Sequence, residues 1–114
     1  MNQEIHRGPF RIQSLDLLLQ LLSGKWNLLI CYMLSQGPLR FNGLKDEISK
    51  NVNTPICPSS LSQSLKRLED LGIVRRTIRT EEAPIAVEYS LTEKGHALLP
   101  VIDALLDWTQ NYAN

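Results

Sequence analysis

Ser59, Ser60, Ser62, Gln63, Lys66 and Arg67 gather three hydroxyls, one carboxamide and two cations within nine residues, and Arg75, Arg76 and Arg79 follow closely. This is chemistry for holding an anionic, hydrogen-bonding polymer rather than for making or breaking bonds. A glutamine amide donates and accepts at once, the pattern an adenine edge requires, while lysine and arginine neutralise phosphate. The residue types that serve catalysis are scattered by comparison. His6 and His96 stand alone, and Cys31 and Cys57 have no histidine or further cysteine at ligand spacing. No zinc site is drawn from them, and no metal or cofactor is expected. Without a glycine-rich phosphate loop or a Ser, His and Asp set, an enzyme has no residues to work with.

The 114-residue chain carries twelve Lys and Arg against twelve Asp and Glu, but the balance is uneven along it. Residues 1–38 sum to +1; residues 39–80 hold eight basic and four acidic groups, +4; residues 81–114 set Lys94 against six acidic groups, −5. A neutral chain thus has a basic middle and an acidic end, an asymmetry that points to an anionic partner for the middle. The competing reading is that these charges merely coat a solvated surface. The length fits one domain, expected at 14–114 behind an N-terminal arm at 1–13. A 43% hydrophobic and 21% charged composition is that of a globular protein and argues against disorder. No apolar run approaches the ~18–20 residues of a membrane span. The first dozen residues offer no signal peptide either, so a cytoplasmic protein without a membrane partner is expected.

The elements that must position these groups read as helix, helix, helix, helix, hairpin, helix. A helix from Ser14 is apolar on more than one side through Leu15, Leu17, Leu18, Leu19, Leu21 and Leu22, so it must be buried widely or lie in an interface. Gly24 breaks it, and a core helix follows from Lys25 to Ser35, closed by Gly37-Pro38. A third, from about Phe41 to Ser49, aligns Phe41, Leu44 and Ile48, and residues 50–56 read as a turn rich in Asn and Pro. Pro58 then opens a helix at 58–71, since proline in the first turn sacrifices no hydrogen bond. Leu61, Leu65 and Leu68 fall on one stripe, which turns Ser59, Gln63, Lys66, Arg67 and Asp70 to the opposite face with Ser60 and Ser62 at its margins. Strands at 73–80 and 85–91 flank a turn at 81–84, and a last helix runs from a Thr92 cap to about Tyr112, bent or divided at Pro100.

A mainly α chain with a small β-hairpin in this order has the layout of a winged helix-turn-helix. One helix fits a major groove about 12 Å wide, and an arginine-bearing hairpin reaches the adjacent minor groove or backbone. The residues also resemble a known family. Gly24-Lys25-Trp26, Gly37-Pro38-Leu39-Arg40-Phe41 with Leu44, Leu61 with Leu65-Lys66-Arg67-Leu68-Glu69 and Gly72, and Val87-Glu88-Tyr89-Ser90-Leu91-Thr92-Glu93-Lys94-Gly95 are similar, in order, to HxlR-type transcription regulators. The resemblance spans roughly Ser14 to Trp108. It implies a homodimeric DNA-binding protein with 58–71 as recognition helix, 73–91 as wing, and the first and last helices as the dimer contact, through Leu15, Leu18, Leu98, Ile102, Leu105 and Trp108. Many members carry a Cys-Pro pair just ahead of the first helix, used by some as a redox or electrophile sensor; the matching position here is about Gln13-Ser14, so that sensor is absent.

The implied partner is double-stranded DNA with a palindromic operator; the alternative is a winged helix serving protein–protein contact, its acidic last third in the working role. Gln63 is the candidate base reader, with Lys66 and Arg67 on phosphates. Of the wing cations, Arg76 and Arg79 near the tip are favoured over Arg75. Arg40 is read either as a phosphate contact or as the ion-pair partner of Asp46 or Glu47, and Lys25 either as a phosphate ligand or as a cation lying along the fold. Trp26 is expected in the core, and Glu88 in a pair with an arginine of the fold. Cys57, at a helix N-terminus that favours a thiolate, is either a redox switch or a small buried residue; Cys31 belongs to the core.

Overall fold

The computed structural model describes residues 9–81 and 83–112, so most of the expected N-terminal arm and the last two residues of the expected domain lie outside it. The order is α1 (Pro9–Leu22), α2 (Asn27–Leu34), β1 (Leu39–Arg40), α3 (Phe41–Val52), α4 (Pro58–Asp70), β2 (Val74–Arg79), β3 (Ala86–Leu91) and α5 (Glu93–Tyr112). The winged helix-turn-helix architecture expected from the sequence is present, with refinements.

The core is one cluster. Ile30, Cys31 and Leu34 of α2, Leu44 and Ile48 of α3, and Leu61, Leu65 and Leu68 of α4 are at most 2% exposed. They lock the three central helices together, and Ile73, Val74 and Leu91 close the cluster from the wing's base. Burying each such aliphatic side chain is worth about 1.5–3 kcal/mol, so this cluster fixes the orientation of α4.

The wing is more than a hairpin. β1 adds to the outer edge of β3 to give a three-stranded antiparallel sheet of order β1-β3-β2, with Leu39 opposite Tyr89 and Arg40 opposite Glu88. Two paired residues are too short a strand to show a period in sequence.

Other boundaries move for local reasons. α1 begins at Pro9 rather than Ser14. α2 begins at Asn27, after Lys25 and Trp26. α3 continues through Lys50, Asn51 and Val52, residues expected in a turn: the Asn51 amide donates to the Glu47 carbonyl at 2.7 Å, one helical turn back. The helix stops only where Asn53 takes the left-handed φ of 54°. Pro100 does not divide α5. Leu98 and Leu99 before it and Ile102 after it all pack on the core, which holds the helix on both sides of the missing hydrogen bond.

Two helices are poorly covered. Of the α1 side chains described, only Leu21 is buried, while Leu15, Leu17, Leu18, Leu19 and Leu22 are 40–58% exposed. Along α5 every residue from 103 to 112 is exposed. The radius of gyration, 16.1 Å, accordingly exceeds the roughly 13 Å of a compact domain this size.

Candidate nucleic-acid interface

α4 carries the reading candidates because its leucines leave no choice of face. With Leu61, Ser64, Leu65 and Leu68 turned inward, Ser59, Ser62, Gln63, Lys66, Arg67 and Asp70 are exposed and Ser60 is half-buried at the margin. The sequence thus predicted this face, except that Ser62, expected at the margin, is exposed with it and Ser64 joins the inward stripe. Lys66 Nζ donates to Asp70 Oδ1 at 3.0 Å, and that hydrogen bond, with the carboxylate's charge, raises the lysine pKa. Both side chains are well exposed, so the pair is worth little and the ammonium can exchange Asp70 for a phosphate. Arg67 Nη1 lies 3.5 Å from the Ser23 hydroxyl just past α1.

In the wing, register separates the arginines. Val74, Arg76 and Ile78 share one face, opposite Leu91, Tyr89 and Val87; Arg75, Thr77 and Arg79 share the other, opposite Ser90, Glu88 and Ala86. Arg76 and Arg79, expected together near the tip, therefore point to opposite sides, because a spacing of three reverses direction in a strand. Arg79 is also engaged, with Nη2 at 3.1 Å from Glu88 Oε1 and Nη1 at 3.6 Å from Glu81 Oε2. This is the arginine that Glu88 was expected to find. Arg40 lies in β1 across from Glu88, so Arg40, Arg75 and Arg79 belong to one side of the sheet. Lys25 Nζ rests 4.9 Å from the centroid of the Trp26 ring, and Trp26 packs against the core.

The expected dimer residues divide as well. Leu15, Leu18, Leu105 and Trp108 are 41–60% exposed, Leu98 is half-buried, and Ile102 is 5% exposed within the protomer's own core. Ile102 therefore faces away from the apolar surface to which the family resemblance assigned it.

Cys31 and Cys57 have opposite environments. Burial pushes the Cys31 thiol up to about 11. Cys57 is exposed at the N-cap of α4, with Sγ 3.1 Å from the Ser59 hydroxyl. Hydrogen bonds from that hydroxyl, then from the backbone N–H groups of Ser59 and Ser60, lower its pKa below the ordinary 9.0. A lowered pKa leaves more thiolate at neutral pH. Iodoacetamide is therefore expected to label Cys57 alone in the folded protein, with a rate that reaches half its plateau below pH 9.0. Peptide mapping checks it; equal labelling of Cys31 without denaturant contradicts it. Among the described residues, no group of three His, Cys, Asp or Glu side chains could hold a metal ion.

Sequence reasoning missed two polar features. Asn27 is 1% exposed and donates to the Leu21 carbonyl at 2.8 Å, tying the end of α1 to α2. An asparagine before an apolar run gives no sign of such a role. The second is the contact of Thr92 and Lys94 with the end of α4, visible in sequence only as the Thr-Glu-Lys-Gly run.

A helical body that presents one polar and cationic helix beside an antiparallel arginine wing defines a winged helix-turn-helix protein. The match is specific: the model of HxlR-like helix-turn-helix proteins fits residues 21–114, and the chain belongs to that family of transcriptional regulators. It is 35% identical over 101 residues to a protein described as an uncharacterized HTH-type transcriptional regulator of Methanothermobacter thermautotrophicus, covering 89% of this chain and 72% of that one. A similarly described regulator of Halalkalibacterium halodurans is 41% identical over 91 residues, 79% of this chain and 75% of that one. The reduced form of the transcriptional regulator YodB from Bacillus subtilis superposes with a TM-score of 0.70 at 34% identity, covering 94% of this chain and 95% of that one.

Proposed function

We propose that the protein regulates transcription as a cytoplasmic homodimer that binds double-stranded DNA. α4 enters the major groove, Gln63 reads a base edge, and Lys66 and Arg67 hold phosphates. The wing lies on the minor groove or backbone through its arginines, with Arg40 and Lys25 as flanking contacts. The observation that carries this reading is the exposed polar and cationic face of α4, held rigidly by a fully buried leucine stripe.

Dimerisation is supported by the uncovered apolar surface. A helix apolar on all sides is stable only when buried, and large exposed patches mark interfaces. Between α1 and α5 lies a groove of about 240 Å³, lined by Leu17, Leu18 and Leu21 on one side and Lys94, Ala97, Leu98 and Val101 on the other. A second copy supplies the missing cover, and two α4 helices then address half-sites about one helical turn apart, or a multiple of it.

Selection from a random DNA pool tests the whole reading, with a sequence of two-fold symmetry as the expected product. Leu105 and Trp108 are exposed, so replacing both with Glu is expected to leave the protomer folded but monomeric by sedimentation, and to weaken binding to the selected DNA. Recovery of no preferred DNA, or a double variant that remains dimeric, counts against it.

A further inference from the structure

The exit from α4 is held with unusual completeness. Gly72, at φ 78°, reverses the chain; its N–H reaches Glu69 O at 3.0 Å, and that of Ile73 reaches Leu68 O at 2.9 Å. This arrangement satisfies the helix end internally. It also presents three successive carbonyls, those of Leu71, Gly72 and Ile73, and all three receive donors from the start of α5. Lys94 Nζ donates to Leu71 O at 2.8 Å. Thr92 Oγ1 donates to Gly72 O at 2.6 Å, and the Thr92 N–H to Ile73 O at 3.0 Å. The same hydroxyl accepts from the Gly95 N–H at 3.1 Å, capping α5. Gly95 makes the approach possible, since a Cβ there would sit 2.4 Å from Ile73 O.

These contacts join the carboxyl end of the reading helix to the helix that carries Val101, Leu105, Leu106 and Trp108, the exposed apolar surface. We infer that Thr92 and Lys94 are positioning residues for DNA recognition: they fix the angle of α4 against α5, and so the separation of the two reading helices in a dimer. The inference rests on the DNA-binding reading above. It gives the Thr92-Glu93-Lys94-Gly95 run a mechanical role, in which Lys94 acts through α4 without touching DNA. A loosened clasp leaves each α4 able to reach its groove but lets the distance between half-sites vary. Its signature is therefore a loss of spacing discrimination, which a merely stabilising contact does not produce.

The experiment compares the wild type with Lys94→Met, which keeps the aliphatic stem, and Lys94→Arg, which keeps a donor. The probe is the DNA that the wild type selects from a random pool, with spacers of native length and one base pair longer or shorter. Lys94→Met is expected to lower affinity for the native spacing about fivefold, the usual effect of one lost hydrogen bond. The altered spacers should lose less, so the preference for native spacing shrinks. The salt slope should stay at its wild-type value, and Lys94→Arg should restore the preference. Affinities are compared at concentrations where sedimentation shows each variant dimeric, because Lys94 also lines the α1–α5 groove. Thr92→Ser against Thr92→Val repeats the comparison at the hydroxyl, with thermal melting to confirm folding. Equal affinity and equal spacing preference in Lys94→Met overturn the inference. So does a slope reduced by about one per protomer, which makes Lys94 a phosphate ligand. A wild type that selects no DNA overturns the functional reading itself, an outcome distinct from a wild type that binds and a variant that binds equally well.

Discussion

Replacing Lys66, Arg67, Arg76 and Arg79 together with alanine is expected to abolish DNA binding near physiological salt while leaving the dimer folded. Each phosphate neutralised contributes about 0.9 to the slope of log affinity against log salt. With about 6–10 phosphates engaged per dimer, wild-type affinity should fall by about 10³–10⁵ between 50 and 200 mM salt. Arg76 and Arg79 point to opposite sides of the sheet, so the variant gives up at most three phosphate contacts in each protomer, about six per dimer, and most of that slope should vanish with the affinity. The fold should tolerate the change because the charges lie outside the leucine stripe, and the Lys66 pair with Asp70 is solvated on both sides. Arg79 is the exception. Its removal leaves Glu88, whose side chain is only 22% exposed, without the cation 3.1 Å away. Arg79→Ala alone should therefore lower stability by about 1 kcal/mol, a cost measurable by urea titration and separable from binding. A flat salt response in the wild type, or undiminished binding by the fourfold variant, would sink the DNA reading. Persistent binding of the fourfold variant to a basic protein would instead favour protein–protein contact.

How far this surface could be read in advance depended on the element. The α4 face was legible because three leucines at helical spacing, a proline at the start and a glycine past the end define both the helix and its inward side. In the wing, composition marked the arginines but not their directions. Only the register, set by where β2 meets β3, shows that Arg76 and Arg79 diverge. β1 and the clasp escaped for a common reason: each depends on a contact between segments distant in sequence, Leu39 with Tyr89 and Lys94 with Leu71. Ile102 escaped because α5 is apolar on several sides, so periodicity could not distinguish its core side from its open one.

Two glycine-to-alanine changes should act in opposite directions. At Gly95 the added Cβ meets Ile73 O at 2.4 Å and two Leu91 side-chain atoms at 3.0 and 3.2 Å. The nearest of these is backbone, which cannot swing aside, so α5 must lift and draw Thr92 and Lys94 away from their carbonyls. Overpacking of this kind costs about 2–3 kcal/mol. The melting temperature should drop by at least about 8 °C in a domain this small. At Gly43, inside α3, the nearest atom is Leu39 Cδ2 at 3.9 Å. There alanine meets no obstacle and lowers the entropy of the unfolded chain, for a gain of about 0.5–1 kcal/mol. Thermal melts of the two variants at equal concentration check both signs. A Gly95→Ala protein as stable as the wild type would show that the start of α5 can slide, and would weaken the argument for a rigid clasp.

The thin cover of α1, with Leu21 alone buried among its described side chains, bears on how such a regulator responds to its own abundance. A protomer that gains its remaining burial from a second copy has a stability tied to concentration by mass action. Its melting temperature should rise on tenfold enrichment, and in dilute solution the population of assembled pairs should vary as the square of the amount of chain. Operator occupancy would inherit that exponent. Modest changes in synthesis or degradation would then produce a steeper transcriptional response than a single-chain binder of equal affinity could give.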